Sequence, residues 1–192
     1  RRSIPTRTSR PRSISVNNMR AAAIAASLTM LVIVGGCNGG SGPAAAKETA
    51  ACDGVPQLAL AGRVTDAANI LPAEDEVRLS GRLARYERDT QHQMVIVTTP
   101  SLHGVRIDNF GTCLGNRWKI GRQGHDDGVI VVIAPNERQM RIATGIGMEK
   151  ILTDDKALAI VHRMTPYFAK ADYSRGLSVG IDAIAAETGD KP

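Results

Sequence analysis

The sequence predicts an α/β fold, a three-layer α/β/α sandwich on a small mixed β-sheet. Three observations carry that prediction. Residues 94–99 (MVIVTT) and Gly128–Ala134 (GVIVVIA) are short, β-branched and almost wholly apolar, as strands covered on both faces are. A segment with helical periodicity separates them, the order of a right-handed crossover that leaves the two strands parallel. The second run passes through Pro135-Asn136-Glu137, a turn, into Gln139–Thr144 (QMRIAT), whose alternation predicts an antiparallel neighbour. A sheet with both kinds of pairing follows.

The helices are read from the 3.6-residue period and its punctuation. Residues 63–71 (RVTDAANIL) are extended, with a turn-forming Asp66. Pro72 and the acids Glu74, Asp75 and Glu76 mark a helix start, and Leu79, Leu83 and Tyr86 form its apolar stripe to about residue 89. Arg78, Arg82, Arg85 and Arg88 lie on a solvated face of that helix. A second helix spans about residues 106–119, with Ile107, Phe110, Leu114 and Trp118 facing inward and Gly121 and Gly124 beyond its end. Thr153 is a suitable N-cap, followed by Asp154 and Asp155 in the first turn of a helix to about Thr165. Leu158, Val161 and Met164 are expected to face inward there. A last helix, Tyr173–Thr188, would bury Leu177, Ile181 and Ile184.

The net charge of +5 belongs to the first residues. Of 24 Lys and Arg, six fall in residues 1–36, which hold no acid; from Cys37 onward 18 face 19 Asp and Glu, a net charge of −1. No nucleic-acid partner is expected from a chain whose folded part is not basic. Met19-Arg20 reads as a positive n-region, and residues 21–34 as an apolar segment of signal-peptide length, too short to span a bilayer comfortably. Residues 1–18 are polar and rich in Pro, Ser and Arg, upstream of a good start methionine, and are set aside from the fold. Val34-Gly35-Gly36-Cys37 resembles the lipobox of bacterial lipoproteins, which implies cleavage before Cys37 and a lipid on its sulfur. The expected location is the cell envelope, periplasmic side, with Asn38 favouring outer-membrane sorting in a two-membrane host. The expected organisation is residues 1–36 as upstream extension and signal peptide, 37–61 as a flexible Gly/Ala/Ser-rich tether, and 62–190 as the folded domain.

Cys52 and Cys113 leave two readings open. Outside the cytoplasm they can bridge; alternatively Cys113 is a buried apolar residue and Cys52 a free thiol. His92, His103, His125 and His162 show no zinc-ligand spacing.

The chemistry concentrates in residues 124–155. A hairpin turning at 135–137 sets Thr144 opposite the start of Gly128–Ala134, so Asp126 and Asp127 meet Gly145 and Gly147, with Glu149, Asp154 and Asp155 close behind. Clustered carboxylates repel and raise one another's pKa, which a bound cation relieves. A hard divalent cation, calcium first, wants several oxygen ligands on pliable backbone, and glycines at φ > 0 let carbonyls turn inward. Taken singly, Asp126-Asp127-Gly128 is a turn signal and Asp154-Asp155 is helix-dipole matching. No nucleophile elbow is present, and His125, beside Asp126, is a candidate acid or base or simply a solvated loop histidine. Binding is therefore expected over catalysis.

The order VTDAANIL, QMVIVTTPSL, RWKIG, DDGVIVVIAP, RQMRIATGIGMEKILTDD and YFAKADYSRGL resembles the TPM domain family over residues 62–188. That family includes a thylakoid-lumen protein, a photosystem II repair protein and a nematode receptor accessory protein. The resemblance implies a Rossmann-like α/β/α sandwich in a non-cytoplasmic compartment and calcium at Asp66, Asp126, Asp127, Glu149, Asp154 and Asp155, with Gly145 and Gly147 as backbone. It also implies an accessory or quality-control role toward an unidentified envelope partner, or alternatively a weak metal-dependent acid phosphatase on phosphomonoesters. Simple topology puts Asp66 near the other end of the sheet. Asp127 stands where Asn is common, which adds an acid. The anchor at Cys37 would replace the C-terminal membrane helix and Gly-rich tail of many bacterial members.

Overall fold

The computed structural model describes residues 52–189. The expected signal peptide, the lipobox-like residues 34–37 and residues 37–51 of the expected tether lie outside the described residues. Four strands and four helices follow in the order β1 (Val64–Asp66), α1 (Ala73–Thr90), β2 (Gln93–Thr98), α2 (Ile107–Trp118), β3 (Gly128–Ala134), β4 (Gln139–Thr144), α3 (Asp154–Phe168) and α4 (Tyr173–Thr188), with a 3₁₀ turn at Ile146–Met148. The sheet order is β1-β2-β3-β4. β1, β2 and β3 run parallel and β4 is antiparallel to β3. This is the expected mixed sheet, with the extended 63–71 segment supplying one additional short parallel strand. None of the described helices is long and apolar enough to cross a membrane.

The alternation of strand side chains divides the core into two layers. Met94, Ile96, Val129, Val131, Ile133 and Ile142 pack with Leu79, Leu83, Tyr86, Met164, Leu177, Ile181 and Ile184, so α1, α3 and α4 cover one face. Val95, Val97, Ile130 and Val132 pack with Phe110, Cys113 and Leu114 of α2 on the other. Full burial of each such side chain stabilises by roughly 1.5–3 kcal/mol. β3 is buried at every position, which explains why its sequence lacks alternation.

Three local differences from the sequence reading have physical causes. Leu158 is 54% exposed; α3 instead turns Ala157, Ile160 and Met164 inward. Both stripes fit a helical period, and the small Ala157 side chain lets α3 settle close to the layer beneath. α3 also continues past Thr165 through Pro166 to Phe168. That proline removes only the hydrogen bond to the carbonyl of exposed His162, near the helix end. Finally, residues 52–61, expected as tether, rest on α2. Val55 is buried; Arg117 Nη1 donates to the Val55 and Pro56 carbonyls, each at 3.1 Å; and Trp118 Nε1 donates to the Leu58 carbonyl at 3.1 Å. A disulfide joins Cys52 to Cys113 with their Cα atoms 5.5 Å apart. Val55, Cys52 and Leu58 of this segment pack with the apolar side chains of α2 and add cover to that helix.

Candidate functional site

The β3–β4 hairpin brings the two ends of residues 124–155 together. Gly145 N donates to Gly128 O at 2.9 Å, one pair beyond Val129↔Thr144, and Gly147 N donates to Asp126 O at 3.0 Å. Neither Gly145 nor Gly147 has a positive φ. Their role differs from the expected one: a Cβ at Gly145 would overlap the Asp126 carbonyl, and one at Gly147 the His125 carbonyl. The glycines are needed because two backbones cross there in contact. The strained residue is Asp126 itself, at φ 49°.

Asp127 is 3% exposed. Oδ1 accepts from the Arg122 backbone N–H at 2.7 Å; Oδ2 takes Arg122 Nε at 2.7 Å and Nη2 at 2.6 Å, and lies 3.1 Å from His92 Nδ1. Burial opposes the charge, but the backbone donor, the guanidinium and His92 outweigh it and hold the pKa down at about 2. The carboxylate therefore already has its cation. It pins the 122–128 loop against β2 and does not line the groove described next.

Asp66 sits at the far end of the sheet, opposite Thr98, as simple topology places it. It accepts from the Leu71 N–H at 2.8 Å and from the Thr98 hydroxyl, tying down the 66–71 turn. The structure thus separates Asp66 from the other predicted residues. Asp126 and Asp155 are exposed, and neither side chain forms an ion pair among the described residues.

What the fold does bring together is a polar groove of about 400 Å³ beside β4. α2 contributes Asp108 and Thr112; β4 contributes Arg141 and Thr144; Glu149, Thr153 and Asp154 come from the connection into α3. Three carboxylates share it with one guanidinium. Arg141 Nη2 is 3.1 Å from Asp154 Oδ1. Thr153 caps α3 through its hydroxyl, accepting from Lys156 N at 3.4 Å, which fixes Asp154 at the first helical position. Asp108 is clamped by Arg106, with Nε at 3.1 Å and Nη2 at 2.6 Å, and those bonds hold its pKa down at about 2.

Asp108 and Thr112 are absent from the sequence reading. Their signal is an i, i+4 polar pair beside the apolar stripe of α2, with the small residues Gly111 and Gly115 interleaved with it. A Cβ on Gly111 would stand 3.2 Å from Val132 Cγ2 and 3.3 Å from Ala143 Cβ. That glycine lets α2 lie close enough to β4 for its polar edge to line the groove.

The donors are carboxylate and hydroxyl oxygens, the set a hard cation prefers. Among the described residues, however, no three His, Cys, Asp or Glu side chains converge as a formed metal cage. The donor chemistry fits calcium; uptake would require Glu149 and Asp154 to move together and Asp154 to leave Arg141.

A mixed sheet covered on both faces, with a polar groove beside its antiparallel strand, defines an α/β/α domain. The chain belongs to the TPM domain family, whose pattern matches residues 64–187. It is similar to the N-terminal domain of a protein from P. gingivalis solved by NMR, with 32% identity and a TM-score of 0.59 over 65% of this chain and 80% of that one. The fold is shared with the N-terminal domain of the cg2496 protein of Corynebacterium glutamicum, at 16% identity and TM-score 0.55 over 71% and 86% of the two chains. It is shared too with the BA42 protein of Bizionia argentinensis, at 17% identity and TM-score 0.54 over 62% and 81%. No curated protein matches the chain.

Proposed function

We propose that this TPM domain is a lipid-anchored protein of the cell envelope that takes up a divalent cation, calcium by donor chemistry, and serves a partner protein as an accessory or quality-control factor. The observation that carries the reading is the groove whose lining combines Glu149, Asp154 and Asp108 with Thr112, Thr144 and Thr153. Because its carboxylates do not converge in advance, the expected affinity is that of extracellular modules, on the order of 10⁻⁴–10⁻³ M. The lipobox at residues 34–37 supports the anchor, and the Cys52–Cys113 disulfide supports an oxidising compartment.

Thermal unfolding with added calcium tests the cation. At 10 mM calcium and a Kd near 1 mM, mass action stabilises by about 1.4 kcal/mol, a rise of roughly 4–7 °C in Tm for a domain of this size. Glu149→Gln and Asp154→Asn should each abolish most of the rise. An unchanged Tm at 10 mM calcium would sink the cation reading.

Arg141, beside the carboxylates, is the one observation favouring a metal-dependent phosphatase, since it supplies a positive charge for a phosphoryl group. Cation-dependent phosphomonoester turnover lost in both Glu149→Gln and Arg141→Gln would favour that alternative.

A further inference from the structure

A second cavity opens at the β3–β4 turn. Met140 and Ile142 lie on the sheet face that α3 and α4 cover. Ile142 is 2% exposed, but Met140, nearer the turn, is only half-buried. Between them the helical layer gives way to the α3–α4 connection, leaving a cavity of about 660 Å³. Small-molecule sites commonly occupy about 300–1,000 Å³. The cavity shares no lining residue with the cation groove.

Its lining is apolar with a cationic margin. Buried Ile133 and half-buried Met140, Phe168 and Tyr173 supply most of the apolar wall. The last three are the partly buried members of that core layer which meet at one place. The Phe168 and Tyr173 ring centroids are 5.3 Å apart with planes tilted by 54°, an angled wall that suits a flexible chain better than a flat ring. Arg138, in the β3–β4 turn, and Lys170, in the α3–α4 connection, are exposed, and neither pairs with a carboxylate among the described residues. No acid lines the cavity. The acids nearest them in sequence are engaged elsewhere: Glu137 Oε1 accepts from Leu102 N at 2.8 Å, and Asp172 caps α4 by accepting from Arg175 N at 3.3 Å.

We propose that this cavity binds a single-chain acyl carboxylate, a fatty acid. The chain lies against Met140, Phe168 and Tyr173, where burial of methylenes supplies the affinity. The carboxylate sits at the Arg138 and Lys170 margin, where a guanidinium and an ammonium favour an anion over a neutral head group. Apolar walls and unpaired cations in one cavity thus answer the two halves of an amphipathic acid. The site requires no calcium and uses none of the groove's residues, so the two readings can fail separately.

The test is an NMR titration of the purified full chain with octanoate, decanoate and octanol, in EDTA and at neutral pH. The expected result is saturable shifts at the Met140, Phe168, Ala169 and Tyr173 amides with both acids. The two added methylenes of decanoate should tighten binding by about threefold or more, against roughly fifteenfold for their complete burial. Octanol, the neutral counterpart of octanoate, should bind about twentyfold more weakly. Arg138→Gln and Lys170→Gln should each weaken octanoate about fivefold, the upper end for an exposed ion pair, and leave octanol unchanged. The octanol titration shows that each variant keeps its cavity. Equal binding of octanoate and octanol, shifts that do not saturate, or shifts confined to other segments would overturn the proposal. Tighter binding of naphthoate than of decanoate would overturn the acyl assignment. So would sedimentation showing a dimer through Phe168 and Tyr173 that decanoate does not dissociate, since a second copy would then fill the cavity.

Discussion

Replacing Asp127 by Asn separates a structural from a ligand role for the acid that the sequence placed at the centre of the site. The carboxylate is nearly buried and takes three donors from Arg122 while also meeting His92. Its pKa is held at about 2 rather than near 3.8. A depression of that size corresponds to about 2 kcal/mol of stability, on the order of 1.4 kcal/mol for each pKa unit. The folded-state pKa is lowered, so this stability is complete above about pH 4 and is lost as pH falls through about 2. Arg122 keeps 43% of its side chain exposed and is not stranded when the acid goes. The loss should therefore fall below the 3–5 kcal/mol typical of breaking a fully buried pair. Urea unfolding followed by circular dichroism should show Asp127→Asn about 2 kcal/mol less stable at pH 7 without calcium. The gap between variant and wild type should narrow as the pH is brought to 2.5. A variant within 0.5 kcal/mol of wild type at pH 7, or a gap that does not change with pH, would refute the assignment of Asp127 as a strut.

Other consequences are as direct. Arg141→Gln removes the guanidinium that competes for Asp154, so calcium affinity by titration calorimetry should rise severalfold; a fall would show that Arg141 organises the groove instead of opposing the ion. Gly147→Ala drives a methyl into the His125 carbonyl and should cost about 1–3 kcal/mol in the same urea assay, whereas Gly124→Ala, with open space around it but φ 77°, should cost less. Reduction of Cys52–Cys113, which closes a loop of 61 residues, should lower stability by up to about 4 kcal/mol on the chain-entropy estimate. A negligible change in Tm on reduction would show that the 52–61 segment holds to α2 through its side-chain contacts alone.

The two central strands were legible because they are extreme, whereas the three-residue β1 carries no such signal and reads only as an extended entry. A run such as GVIVVIA has one stable environment, covered on both faces, and the intervening helix leaves one handed crossover. The turn at Pro135 then makes β4 antiparallel with its register nearly fixed. Helix positions were legible where caps and stripes agree, as at Thr153 and at Leu79-Leu83-Tyr86. They were ambiguous where two stripes overlap, and α3 chose Ala157-Ile160-Met164 over Leu158 because packing against neighbours, not periodicity, selects between adjacent faces.

The site divides along the same line. Sequence by itself determined that acids and glycines from both ends of residues 124–155 arrive at one end of the sheet, since strand pairing and chain length force that meeting. It also placed Asp66 at the other end. Only the tertiary structure decided what each carboxylate does on arrival. Asp127 is paired with Arg122 and meets His92, and Arg122 lies five residues away while His92 lies in the connection into β2, so no local pattern reveals that both converge on it. Asp108 enters the groove because Gly111 lets α2 approach β4, a distance set by packing between elements far apart in the chain. Local sequence fixes which groups are near; which of them remain free to bind depends on partners supplied by the rest of the fold.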